Sequence, residues 1–176
     1  MTKSDVKDQN KHVAKKVALY GVLIALAFVF SYVEALIPFS FAIPGMKVGL
    51  ANLVVVAALY LLGTRTAFGV SVVRIVLVGF TFGNLSTMMF SLSGGLLSFA
   101  VMAVCKNKTL LHVEGVSMAG GIAHNIGQLL MAAAVVESAA LFYYVPVLLV
   151  FGLITGGLIG LTAGQLIKRI RVCVPQ

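Results

Sequence analysis

The sequence predicts an all-α integral membrane protein of six transmembrane helices with both termini in the cytoplasm. Three observations lead there. Of the 176 residues, 60% are hydrophobic and 10% charged, and the mean hydropathy is +1.07; an ordinary soluble domain carries roughly twice that charge. Six apolar runs approach the roughly 20 residues that span a hydrocarbon core. The basic residues lie between those runs, as the positive-inside rule requires of cytoplasmic loops.

The first run, residues 16–37, follows a polar segment and is too long for a signal-peptide core, so it reads as a retained first helix. The second, 46–62, is short; five spans plus a re-entrant segment is the alternative there. The remaining runs fall at 66–83, 87–105, 116–138 and 143–167. The chain therefore divides into a cytoplasmic tail (1–15), a membrane domain (16–168) and a second cytoplasmic tail (169–176). That leaves no length for a soluble catalytic or ATP-hydrolysing domain.

The formal charge of +8 resembles a nucleic-acid signal until its placement is read. With both ends inside, eleven of the thirteen basic residues are cytoplasmic: Lys3, Lys7, Lys11, Lys15, Lys16, Arg65, Lys106, Lys108, Lys168, Arg169 and Arg171. Only Lys47 lies outside, and only Arg74 lies within a span. An odd helix count would expose one basic terminus, so the asymmetry favours six. The partner of this charge is the lipid bilayer, and no nucleic acid is expected. Cys105 and Cys173 fall at cytoplasmic helix ends, where thiols stay reduced.

Small residues are patterned. Gly152, Gly156, Gly160 and Gly164 recur every fourth residue down the last helix, a ridge that favours packing inside the bundle. Ala14, Ala18, Gly21 and Ala25 form a similar stripe on the first helix, facing either the bundle or a partner protein. Three helices share a short string: Ser93-Gly-Gly-Leu-Leu-Ser98, Ala119-Gly-Gly-Ile-Ala-His124 and Thr155-Gly-Gly-Leu-Ile-Gly160. These read as packing sites.

Arg74, inside VSVVRIVLVG (residues 70–79), poses the central question. A guanidinium at mid-bilayer costs roughly 2.5–3.5 kcal/mol on insertion scales, so a partner must offset it. His124 stands at the same level, each residue about 12 Å inside the cytoplasmic edge at 1.5 Å per residue. Asn125 and Gln128 extend its polar patch, and Gly127 permits close approach to the backbone. Farther out, Glu34 ends the first helix, Lys47 opens the second, Asn52 follows, and Asn84, Ser91 and Ser93 line the outer turn between helices three and four. Together they describe a polar pocket that opens outward and closes near the midplane.

In the competing reading Arg74 pairs with Glu34 or backbone carbonyls, and the amides merely bond helix to helix. The excess of cationic and amide groups over acids favours a ligand instead. Glu34 neutralises at most one of Arg74 and Lys47. A small anion with an apolar body completes such a site, the guanidinium gripping a carboxylate or phosphate in bidentate fashion. Phe39, Phe41, Phe80, Phe82 and Met88 are the candidate apolar cover.

Other chemistries find no support. The Gly-x-x-x-x-Gly-Lys-Ser/Thr loop is missing, so the chain carries no ATP cradle. His12, His112 and His124 lack ligand-spaced neighbours, so no metal site is expected. The only aspartates, Asp5 and Asp8, lie in the tail, whereas a prenyl-diphosphate synthase needs clustered acids to hold magnesium.

Glu34–Asn52 (EALIPFSFAIPGMKVGLAN), Arg74, Ser91–Ser98 (SLSGGLLS) and Ser117–Gln128 (SMAGGIAHNIGQ) resemble the family labelled heptaprenyl diphosphate synthase component I, also called the Gx transporter family, over residues 15–167. That family in turn resembles the substrate-binding S components of energy-coupling-factor (ECF) transporters. The resemblance implies an S-component-like bundle of six helices with an external pocket. It also implies a transmembrane coupling protein and two ATPase subunits as partners, with ATP bound on those subunits and no cofactor in this chain. The stripe Ala14, Ala18, Gly21 and Ala25 would meet the coupling protein. Both family names point to isoprenoid quinone metabolism, so an aromatic carboxylate such as dihydroxynaphthoate is the implied ligand class. The expectation is a nonenzymatic importer component; the alternatives are a noncatalytic subunit of heptaprenyl diphosphate synthase and an autonomous ion-coupled carrier using Glu34 or His124.

Overall fold

The computed structural model describes residues 3–36, 49–108 and 111–173. The described residues form helices and no strand: α1 (Lys3–Leu36), α2 (Leu50–Leu61), α3 (Thr64–Thr81), α4 (Leu85–Asn107), α5 (Val113–Val136), a 3-10 helix (Ala139–Tyr144) and α6 (Val145–Cys173). Among the described residues, five stretches are long and apolar enough to cross a bilayer: Val17–Leu36, Thr64–Thr81, Leu85–Asn107, Val113–Val136 and Ala139–Ile170. The protein is a multi-pass membrane protein.

The second helix is shorter than the sequence pattern predicts. α2 has 12 residues, about 18 Å at 1.5 Å per residue, against a hydrocarbon core of roughly 30 Å. Two glycines set its limits. Gly49 (φ 79°) precedes it and Gly63 (φ 89°) follows it, both in backbone conformations that favour glycine over residues with a Cβ. α1 is already helical from Lys3, within the segment expected as a polar tail; neither Gly nor Pro interrupts residues 3–20 to stop it.

α2 is the core of one half of the bundle. Val54 through Leu59 are all buried, and α2 packs against α1, α3 and α6. At its end the Lys106 ammonium donates to the Leu59 carbonyl at 2.5 Å and lies 5.4 Å from the centre of the Tyr60 ring, so a cation meets the negative end of the helix dipole.

α5 is the core of the other half, held between α4 and α6. Lipid tails are as apolar as leucine, so close packing rather than water exclusion holds such helices together. The glycine ridge serves this purpose: a Cβ at Gly156 would lie 2.7 Å from the Ser117 carbonyl oxygen, and one at Gly160 would lie 2.7 Å from the Glu114 Cα. On the other face of α5, a Cβ at Gly127 would lie 2.8 Å from the Ser93 carbonyl oxygen, and the Ser93 hydroxyl donates to the Gly127 carbonyl at 2.8 Å. What approaches the backbone at Gly127 is therefore α4.

Candidate functional site

Arg74 sits eleven residues into α3 and is 9% exposed. Its Nη1 donates to the Ser31 hydroxyl at 3.3 Å, and its Nη2 to the Asn52 side-chain oxygen at 3.5 Å. Both bonds are long for N–H donors, and both acceptors are neutral. Nε is buried with no hydrogen-bond partner among the described residues. Glu34 is the acid whose charge acts on Arg74, but its Oε1 is engaged elsewhere, accepting from the Gly49 main-chain N–H at 2.5 Å. The offset for Arg74 is thus shared: one hydroxyl, one amide oxygen and a carboxylate already committed to the start of α2.

Local sequence explains this arrangement. Ser31 and Glu34 are three residues apart, so they share one face of α1. Ser31 also donates to the Ala27 carbonyl at 2.9 Å, which fixes its hydroxyl with a lone pair toward Arg74. Asn52 lies in the first turn of α2, next to the amide that Glu34 holds.

Asn52 joins this cluster to a second one. A pocket between α2, α4, α5 and α6 is lined by Asn52, Ser98, Ser117, His124, Asn125 and Thr155, with glycines and Met102 and Ile159 completing its wall. It encloses about 340 Å³ of empty space when its open mouth is counted, but only about 20 Å³ of that admits the centre of a water, room for one or two waters. All three glycine-pair strings contribute to its wall, through Ser98, through Gly120, Gly121 and His124, and through Thr155 and Gly156.

Asn125 donates to the Leu148 carbonyl at 2.8 Å. Gln128 is 3% exposed, and neither its amide nitrogen nor its oxygen has a hydrogen-bond partner among the described residues. A buried polar group left unmet costs about 1–3 kcal/mol, and among the described residues Gln128 and the Arg74 Nε are places where that cost falls.

The remaining predicted residues are placed differently. Asn84 is exposed and caps α4, its side-chain oxygen accepting from the Thr87 N–H and hydroxyl, both at 2.7 Å. Ser91 is half-buried on α4 and outside the pocket wall. Lys47, Phe39 and Phe41 lie outside the described residues. Phe80 is largely exposed, and Phe82 packs against Phe28 and Tyr32 of α1 with ring centres 5.2 and 5.5 Å apart. Ala14, Ala18, Gly21 and Ala25 are all exposed, and nothing lies within 4 Å of a Cβ placed at Gly21. Among the described residues no group of His, Cys, Asp or Glu is placed to hold a metal.

Sequence reasoning missed Ser31, Ser98, Ser117 and Thr155. Ser31 was findable, as a polar residue one helical turn from Glu34. Ser98 and Thr155 stood inside strings that read as packing, and Ser117 stood two residues before one.

No curated protein and no solved structure matches the chain. The family model described as heptaprenyl diphosphate synthase component I matches residues 23–166, which include Arg74, Asn52 and every residue of the pocket wall. On that match the chain belongs to the heptaprenyl diphosphate synthase component I family.

Proposed function

We propose that this protein is a membrane-embedded binding component that captures a small amphipathic anion from the outer side, in the manner of an ECF-type S component. The observation that carries the reading is Arg74: a buried guanidinium with long bonds to neutral acceptors, whose Nε has no hydrogen-bond partner among the described residues. A planar cation so placed suits a carboxylate or phosphate taken in bidentate fashion. The adjoining pocket supplies neutral hydrogen-bonding groups for the rest of the ligand, and its size means that α2 must separate from α5 and α6 to admit more than water. An aromatic carboxylate of the quinone-precursor class fits this requirement.

The exposed stripe Ala14, Ala18, Gly21 and Ala25 is the surface we assign to a transmembrane coupling protein, with ATP hydrolysed by separate subunits. A second reading follows from the family description itself: a noncatalytic membrane subunit of heptaprenyl diphosphate synthase, its exposed α1 face meeting the catalytic partner.

The deciding experiment is purification in mild detergent with mass spectrometry of the small molecules that travel with the protein. An organic anion lost on Arg74→Gln supports the importer reading. Copurification of a prenyl-diphosphate synthase subunit, with no bound anion, favours the second.

A further inference from the structure

We infer that the first turn of α2, with the Arg74 guanidinium behind it, is an anion subsite that the chain's own Glu34 carboxylate occupies, and that a ligand carboxylate binds by displacing it. The inference rests on the anion-binding reading above and adds what the ligand must compete with.

Three features of the geometry converge. The N-terminus of a helix is electropositive because its first amides have no intrahelical acceptor, and such an end is a general anion site. α2 begins at Gly49 with no side-chain cap of its own; the Gly49 N–H is met by Glu34 from α1, at 2.5 Å. The second feature is Arg74, more than nine-tenths buried and aimed at the same turn through Asn52. It points to a ligand independently of the helix end, because its Nε lacks a partner among the described residues. The third is the absence of a side chain at Gly49, where φ of 79° disfavours any residue with a Cβ and leaves the amide approachable.

Glu34 serves two groups and fully satisfies neither. One oxygen is held by the Gly49 amide, and its charge reaches Arg74 without forming the paired fork that a carboxylate and a guanidinium prefer. An incoming carboxylate beside Asn52 gains both that fork and the α2 amides. Two carboxylates beside one guanidinium repel each other, so ligand and Glu34 exclude one another. Displacing Glu34 also unties α1 from the start of α2, at the edge of the pocket that has to widen. Binding and opening are then one event.

The test uses the full chain purified in mild detergent, with 2-naphthoate as a fluorescent aromatic carboxylate and 2-naphthamide as its neutral counterpart. If Glu34 occupies the site in about nine molecules of ten, removing its charge raises apparent affinity about tenfold. Glu34→Gln is therefore expected to bind 2-naphthoate about tenfold more tightly than wild type, with 2-naphthamide unchanged. Its melting temperature without ligand should be no higher than wild type, and the upward shift on adding 2-naphthoate should be larger. Glu34→Asp, which keeps the charge but is one methylene too short for the Gly49 amide, should fall between the two. Wild type binding 2-naphthoate while Glu34→Gln and Glu34→Asp bind it no more tightly overturns the inference and makes Glu34 a structural support, with the anion reading intact. No binding by any of the three, all melting cooperatively, defeats the anion reading and this inference with it.

Discussion

The Asn125 side chain donates to the main-chain oxygen of Leu148 across 2.8 Å, tying the middle of α5 to the first turn of α6 at the rim of the pocket. Asn125→Leu removes the donor and leaves the Leu148 carbonyl with only its main-chain bond within α6. Stability in detergent is expected to fall by about 1–2 kcal/mol, the range for interhelical hydrogen bonds in membrane proteins. The check is a thermal or denaturant unfolding curve, and an unchanged midpoint would show that the bond contributes nothing.

The glycine ridge predicts a contrast. At Gly156 a new Cβ meets the Ser117 carbonyl at 2.7 Å and the Met118 Cα at 2.9 Å, backbone atoms that cannot step aside. Gly156→Ala is expected to cost about 1–3 kcal/mol by overpacking, and Gly156→Leu to prevent recovery of monodisperse protein. Gly69, with nothing within 4 Å of its would-be Cβ, should accept Leu and elute normally from a sizing column.

On α1, Ala18→Leu and Gly21→Leu should leave folding and ligand binding intact, because both positions are exposed and Gly21 meets nothing within the chain. ATP-dependent uptake in cells carrying the coupling subunits should be lost, since bulky side chains block close helix approach. Undiminished uptake by both variants would move the partner surface elsewhere.

For Arg74, the expectation separates ligand contact from structural support. Arg74→Gln should weaken anion binding by about 2–5 kcal/mol while the protein still folds, the usual loss when one side of a desolvated charge pair is removed. Arg74→Lys should recover only part of it, because an ammonium lacks the planar fork. Equal anion affinity in folded wild type and Arg74→Gln, measured by titration calorimetry, would remove Arg74 from the site.

The isolated chain should not condense isopentenyl diphosphate with an allylic diphosphate, since no acid cluster to hold magnesium against diphosphate is found among the described residues. A radiolabelled chain-elongation assay on the pure protein decides this, and turnover there would make the chain an enzyme.

The sequence by itself determined the membrane class and the long apolar helices, because hydropathy and charge placement are properties of a single segment in lipid. Arg74 stands out as the cation deep within a span, Gly152 through Gly164 as a packing ridge, and Asn84, three residues before Thr87, carries a local capping pattern rather than a pocket lining. Tertiary structure alone decided which polar groups meet. A lipid-facing helix is apolar on every side, so hydrophobic periodicity does not reveal which face turns inward. Only the packed bundle joins Arg74 to Ser31 and Asn52, gives Glu34 to the Gly49 amide instead of to the guanidinium, and collects Ser98, Ser117 and Thr155 from three helices around His124. The length of α2 was likewise decided by backbone conformation, at two glycines whose φ angles no composition reports.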